Sequence, residues 1–323
     1  MLYVKRKAKT PIGSESVRKV LSRHDLGDDF TRTAESYTND TFRVNAPQTS
    51  YYLKFFTDQW CDPEAGKREL SAIRLLRENG IPTPELLAFE YADREVSRNY
   101  AIFKALPGHT ISTDTSAFNL AHVQQVQALL TRMGAIQGPL GFVGHDPKVH
   151  STYGSHFEFI NDSVFYAFKK LSDFGYDVQG LSESLSKWQH KGEPNHIGFC
   201  HCDFTPKHIL VDSEDITGLI DFEWAIFADP TMDTALFMTS LAEYGFGKEY
   251  IEPILQEAKT ADLDGTLHYH LARILIMGAA WPHKNVEQPF FSQSCLNKAK
   301  VILSRQQAHI EDLLWEGPMV KEK

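Results

Sequence analysis

The chain has 323 residues, 42% hydrophobic and 23% charged, which is enough for two cores in an ordinary soluble globular protein. A formal net charge of −9 and a pI of about 5.9 exclude nucleic acid as the main partner, because a phosphate backbone demands a basic face, and suit a small cationic ligand. Four irregularly spaced cysteines fit a reducing compartment, residues 1–9 lack the apolar core of a secretory signal, and no run reaches the ~20 apolar residues of a membrane helix, so the cytoplasm and no membrane partner are expected.

Residues 14–23 put Val17, Val20 and Leu21 on one helical stripe. Residues 41–44 and 51–56 read as strands joined by a turn at Asn45-Ala46-Pro47-Gln48. The loop before them, Glu35-Ser36-Tyr37-Thr38-Asn39-Asp40-Thr41, has none of the glycine that lets backbone amides approach phosphates. Lys54 on the second strand has two readings: a polar residue on a solvent face, or a cation contacting nucleotide phosphates and held by a glutamate on the next helix. That helix, predicted over 64–79, aligns Leu70, Ile73 and Leu76, carries Glu69 fifteen positions after Lys54, and stops at Asn79-Gly80. Strands at 86–90 and 100–104 lead to Leu106-Pro107-Gly108. Beyond that link the pattern is helical, over 117–136, 157–171, 181–190, 234–244, 250–258, 266–280 and 296–314. The expected fold class is α+β.

One stretch interrupts the helical half. His201-Cys202-Asp203-Phe204-Thr205-Pro206-Lys207-His208 is followed by Gly218-Leu219-Ile220-Asp221-Phe222-Glu223-Trp224, with His208 five and Asp221 eighteen positions after Asp203. Phosphoryl transfer needs an acceptor hydroxyl held in line, its proton taken up late, and Mg²⁺ on the phosphate oxygens. Asp203 suits the base or hydroxyl-orienting group, and His208 and Asp221 suit metal ligands. Imidazole is a poorer ligand than an amide oxygen for Mg²⁺, which leaves open Mn²⁺ or an indirect role for His208. Cys200-His201-Cys202 lacks the second spaced pair that structural zinc requires. His201 is expected to tie the loop to the segment near Asp221, with Asp229 and Asp233 as braces.

The ordered set from His201 to Ala235, including Ile209-Leu210-Val211-Asp212, Thr217-Gly218-Leu219-Ile220-Asp221 and Ala228-Asp229-Pro230 with Asp233, resembles the aminoglycoside phosphotransferase and choline kinase family. Histidine at position 208, where most of the family has asparagine, resembles aminoglycoside 2''-phosphotransferases. The resemblance implies a bilobal protein-kinase-like fold, with a nucleotide-binding lobe over 1–107 and a catalytic, substrate-binding lobe over 108–323. It implies that Lys54 and Glu69 form the nucleotide-binding pair, that the backbone near Lys104 and Leu106 meets the purine, and that Leu210 lines the same cleft. Thr38-Asn39 sits in register with a Ser-Asn pair of the family, to contact phosphate or to shape the turn. The implied activity moves a γ-phosphoryl group from ATP or GTP to a hydroxyl of a small amine-bearing acceptor, an aminoglycoside first. An amino alcohol, amino acid or sugar amine, or a catalytically silent nucleotide-binding role, stays open, as does the oligomeric state. Glu223, Glu243 and Asp312 are candidates to line an amine-binding cleft.

Overall fold

The computed structural model describes residues 11–33, 39–56, 64–144, 156–188, 196–261, 264–280, 289–304 and 314. Its N-terminal half comprises α1 (Ser14–Arg23), β1 (Phe30–Arg32), β2 (Asp40–Asn45), β3 (Ser50–Phe55), α2 (Ala65–Glu78), β4 (Leu86–Asp93) and β5 (Arg98–Lys104). The strands form one antiparallel sheet in the order β1-β2-β3-β5-β4. Successive strand residues point to opposite faces, so Leu53 and Phe55 join Tyr100 and Ile102 in packing under Val17, Val20 and Leu21 of α1. Lys54, paired in register with Ala101, takes the other face. There α2 covers the sheet with Ala72, Ile73 and Leu76. Glu69 lies three, four and seven positions before those residues, on the same helical stripe. The two periodicities therefore bring Lys54 and Glu69 together, whereas Leu70 is only partly buried at the edge of the stripe.

Gly80 ends α2 with a left-handed φ of +70°. A second left-handed glycine, Gly108 at φ +85°, closes the link after β5, and a Cβ there would lie 2.1 Å from the Val211 carbonyl oxygen. No side chain fits, because the chain must enter β6 (His109–Thr110) directly against β9 (Ile209–Asp212).

The remaining half contains α3 (Leu120–Gly134), β7 (Gly141–Phe142), α4 (His156–Asp173), α5 (Gln179–Lys187), β8 (Gly198–Cys200), β10 (Asp215–Leu219), β11 (Ile226–Ala228), α6 (Thr231–Glu243), α7 (Glu252–Thr260), α8 (Asp264–Ala279) and α9 (Pro289–Ser304). Two short sheets, β10-β9-β6 and β7-β11-β8, sit among these helices and carry the loops of interest. Several ends differ from the pattern-based expectation for local reasons. Helix α3 starts at Leu120 because the Asn119 side chain accepts from the amides of Ala121 and His122, a capping box. Helix α6 starts at Thr231, whose amide donates to Asp229 Oδ1. Helix α9 is described from Pro289, seven residues before its predicted position; residues 281–288 and 305–313 lie outside the described residues. Phe159, Ile160, Val164 and Phe168 of α4 are core residues. Among the described residues no helix is long and apolar enough to cross a membrane.

Candidate active site

Residues far apart in sequence converge on a single line of contacts between the two halves. Lys54 Nζ lies 2.7 Å from Glu69 Oε2 and 2.7 Å from Asp221 Oδ1. Asp221 Oδ2 is 3.2 Å from His208 Nε2, and His208 Nδ1 is 3.6 Å from Asp203 Oδ2. Lys207 Nζ closes the far end at 3.1 Å from the same Asp203 oxygen. Glu69, Lys54 and His208 are buried, while both aspartates are partly exposed and Lys207 is exposed. Glu69, Asp203, Asp221 and the adjacent Glu223 make four carboxylates against Lys54, Lys207 and the buried Arg68, which formally leaves one negative charge when His208 is neutral.

Electrostatics follow from that imbalance. Burial opposes the charge on Lys54, but Asp221 and Glu69 outweigh it and raise its pKa above the ordinary lysine value. Asp221 is held well below the carboxylate range: burial works against ionisation, and Lys54 and His208 overcome it. Burial pushes Glu69 and Glu223 upward, only partly offset by Lys54. The His208 pKa is raised, since Asp203 and Asp221 more than offset burial. Its Nδ1–H donates to the Asp203 carbonyl oxygen at 2.7 Å. In the neutral ring, Nε2 would then turn a lone pair towards the Asp221 carboxylate. Two acceptors facing each other at 3.2 Å require a proton or a cation between them.

The loop that carries Asp203 is braced from beneath. Asp233 of α6 accepts from the amides of His201 at 2.6 Å and Cys202 at 2.9 Å. Cys202, beside Asp203, adopts φ +63° and Asp221 itself φ +68°, left-handed conformations that few side chains take. His201 Nε2 donates to the Ile220 carbonyl oxygen at 2.9 Å, and Nδ1 accepts from the Asp203 amide at 3.3 Å. It thus ties the loop to the residue preceding Asp221, as expected. Asp229 accepts from Thr231 and pairs with His270 Nε2 at 3.1 Å, which anchors the start of α6 to α8.

With both nitrogens of His201 engaged, its neutral form is satisfied, and burial together with neighbouring His208 lowers its pKa to about 4. The unfolded chain takes up this proton near pH 6.5, so the contribution is complete above that pH and is lost as pH falls towards 4, roughly 3 kcal/mol in all. His208, whose pKa is raised, has the opposite sign. The effect is therefore read as a difference. Urea unfolding of the wild type and of His201→Asn should show the wild type losing stability faster between pH 6.5 and 4; parallel losses would contradict the assignment.

The other expected site residues are distributed as follows. Thr38 lies outside the described residues. Asn39 is buried and its Nδ2 donates to Glu223 Oε2 at 2.7 Å. The Lys104 side chain is exposed and its amide is committed to the Glu85 carbonyl at 2.8 Å, so any purine contact there falls to its carbonyl or to Leu106. Leu106 packs tightly over Gly218, which pairs in register with the buried Leu210, and the three form one floor beneath the link. Glu223 is buried, with Asn39 on its side chain and Arg68 on its carbonyl, and does not line an open cleft; Glu243 is half-buried on α6, and Asp312 lies outside the described residues. Two residues escaped the sequence reading. Arg68, buried and stacked 4.0 Å over the Phe142 ring, donates to the Glu223 carbonyl, and only its position beside Glu69 hinted at a role. Lys207 had no signal beyond preceding His208.

A family model described as the phosphotransferase enzyme family matches residues 29–269. No curated protein matches the chain by sequence. Among solved structures, a thermostable mutant of aminoglycoside phosphotransferase APH(4)-Ia, in ternary complex with ADP and hygromycin B, is similar with a TM-score of 0.65 at 17% identity, covering 90% of this chain and 98% of the other. The GDP complex of wild-type aminoglycoside 2'-phosphotransferase-IIIa is similar with a TM-score of 0.61 at 13% identity, covering 90% and 96%. The GDP and kanamycin complex of APH(2")-IIIa gives a TM-score of 0.62 at 11% identity, covering 91% and 100%. The chain shares their kinase-like α+β fold.

Proposed function

The chain belongs to the phosphotransferase enzyme family, and from that premise we propose that it transfers the γ-phosphoryl group of ATP or GTP to a hydroxyl of a small amine-bearing acceptor, an aminoglycoside first. The observation that carries the reading is the unbroken line Glu69–Lys54–Asp221–His208–Asp203 across the two halves. In this reading residues 1–107 bind the nucleotide and residues 108–323 supply catalysis and the acceptor site. Lys54, braced by Glu69, neutralises nucleotide phosphates. Leu106 and Leu210 support the base, with the backbone of Lys104 and Leu106 at its edge and Thr38-Asn39 near the phosphates. Asp203 orients the acceptor hydroxyl and takes its proton. The amine preference draws on the net charge of −9, on the surplus of carboxylates at the site, and on the hygromycin B and kanamycin held by the similar structures.

A divalent cation fits between Asp221 and His208. Their facing atoms, 3.2 Å apart, take a proton or a cation between them, and the carboxylates outnumber the cationic side chains around them. Mg²⁺ commonly takes one or two protein carboxylates and completes its shell with phosphates and water. When bound, the ion would shield the phosphate oxygens. His208→Asn exchanges a nitrogen for a harder oxygen donor. It should shift the ratio of Mn²⁺- to Mg²⁺-supported rates towards Mg²⁺ on the order of tenfold. An unchanged metal dependence would take His208 out of the metal site.

The functional test is nucleotide consumption with ATP and with GTP over a panel of aminoglycosides, amino alcohols, amino acids and sugar amines. Acceptor-dependent consumption by aminoglycosides supports the full reading, and consumption driven by another amine replaces the acceptor. Binding of nucleotide without any turnover would make the chain a silent nucleotide-binding module.

A further inference from the structure

Lys207 stands out because it breaks the symmetry of the site. Each aspartate of the contact line carries its own lysine: buried Lys54 on Asp221, and exposed Lys207, 3.1 Å from Asp203. Lys54 is locked by two carboxylates at 2.7 Å each, whereas the Lys207 side chain is 45% exposed and has room to swing. An exposed pair four residues apart contributes little to stability, ~0–1 kcal/mol, so stability is a weak reason for its presence.

Resting on the transfer reading above, the geometry points to Lys207 as a further catalytic residue, one that leaves Asp203 when the acceptor hydroxyl, or water in its absence, arrives and contacts the oxygens of the phosphoryl group in transit. An acceptor hydroxyl hydrogen-bonded to Asp203 sits about 2.6–3.2 Å from its carboxylate. The Lys207 ammonium starts 3.1 Å from that carboxylate, within one side-chain rotation of anything bonded to the hydroxyl oxygen. During transfer the acceptor oxygen forms a bond to the γ-phosphorus while the bond to the β–γ bridging oxygen breaks. The hydroxyl proton passes to Asp203, and the electron pair of the broken bond stays on the nucleoside diphosphate. Charge spreads over the three equatorial oxygens meanwhile. Lys54 meets that charge from the nucleotide side and Lys207 from the acceptor side. Moving the ammonium from Asp203 to the phosphoryl group also frees the carboxylate to receive the proton, so one motion serves both partners.

The experiment uses the full chain with Mg²⁺ and γ-labelled ATP or GTP, and follows both transfer to an accepted amine and slow hydrolysis in its absence. Lys207→Met should lower both rates about 10²-fold, the loss typical of one charge-stabilising donor, while nucleotide affinity changes less than about threefold. Lys207→Arg should recover most of the loss. In an Asp203→Asn background, Lys207→Met should still cost about 10²-fold in single-turnover transfer, because the lysine acts on phosphate. A loss that vanishes in that background would reduce Lys207 to a holder of Asp203, and unchanged hydrolysis in Lys207→Met would remove it from the reaction; either overturns the proposal. A wild type that consumes neither nucleotide under any acceptor sinks the transfer reading itself, a result distinct from both.

Discussion

Asp203→Ala is expected to lower phosphoryl transfer by about 10³-fold while nucleotide affinity stays within a fewfold of wild type. The expectation follows from where the side chain sits. Asp203 contacts Lys207 and approaches His208, but it has no contact with Lys54 or Glu69, the groups proposed to meet the nucleotide. Its backbone is fixed separately, through its amide to His201 and its carbonyl to His208, so removing the carboxylate leaves the loop's hydrogen bonds intact. Rate and affinity should therefore separate. Single-turnover transfer and equilibrium nucleotide binding measure the two terms, and equal losses in both would sink the assignment of Asp203 as the hydroxyl-orienting base.

Asp221→Ala should show the opposite pattern, with affinity and rate falling together. Its two oxygens engage Lys54 at 2.7 Å and His208 at 3.2 Å, so truncation removes the proposed metal ligand and also releases the lysine to Glu69 alone. A metal ion shielding phosphate charge is worth several kcal/mol, here ~4 kcal/mol or roughly a 10³-fold loss of rate. Nucleotide binding should also lose its dependence on Mg²⁺. Calorimetric titration of nucleotide with and without Mg²⁺ checks this, and a variant whose binding still strengthens with Mg²⁺ would move the ion elsewhere. Asp221→Asn, which keeps shape and loses charge, separates the ligand role from packing: it should resemble alanine in metal dependence but melt closer to wild type.

Much of this was legible in the sequence because the relevant signals are short-range. The strand and helix periods that put Lys54 opposite Glu69 can be counted along the chain, and the five-residue step from Asp203 to His208 is one tight turn, seen as the short helical segment Pro206–His208. The Gly80 stop and the Gly108 link were legible for the same reason. What stayed hidden depends on contacts across the chain. Glu223 looked like an exposed carboxylate, yet Asn39, 184 positions away, buries it. Arg68 reaches a backbone carbonyl 155 positions on, which no local pattern encodes. Strands β6 and β7, two residues each, are too short for any periodicity and exist only because β9 and β11 lie beside them.

Asp233 carries a consequence for how the site moves. One carboxylate of a buried core helix holds the amides of His201 and Cys202, so the loop that carries Asp203 is tied to α6. Local breathing is thereby denied to this loop, and its two amides should exchange hydrogen with solvent only through the global opening that unfolds the helical half. Heating should accordingly extinguish turnover and melt the core at one temperature. Variants chosen for broader acceptor use would have to change the walls of the cleft, because its floor is part of the core.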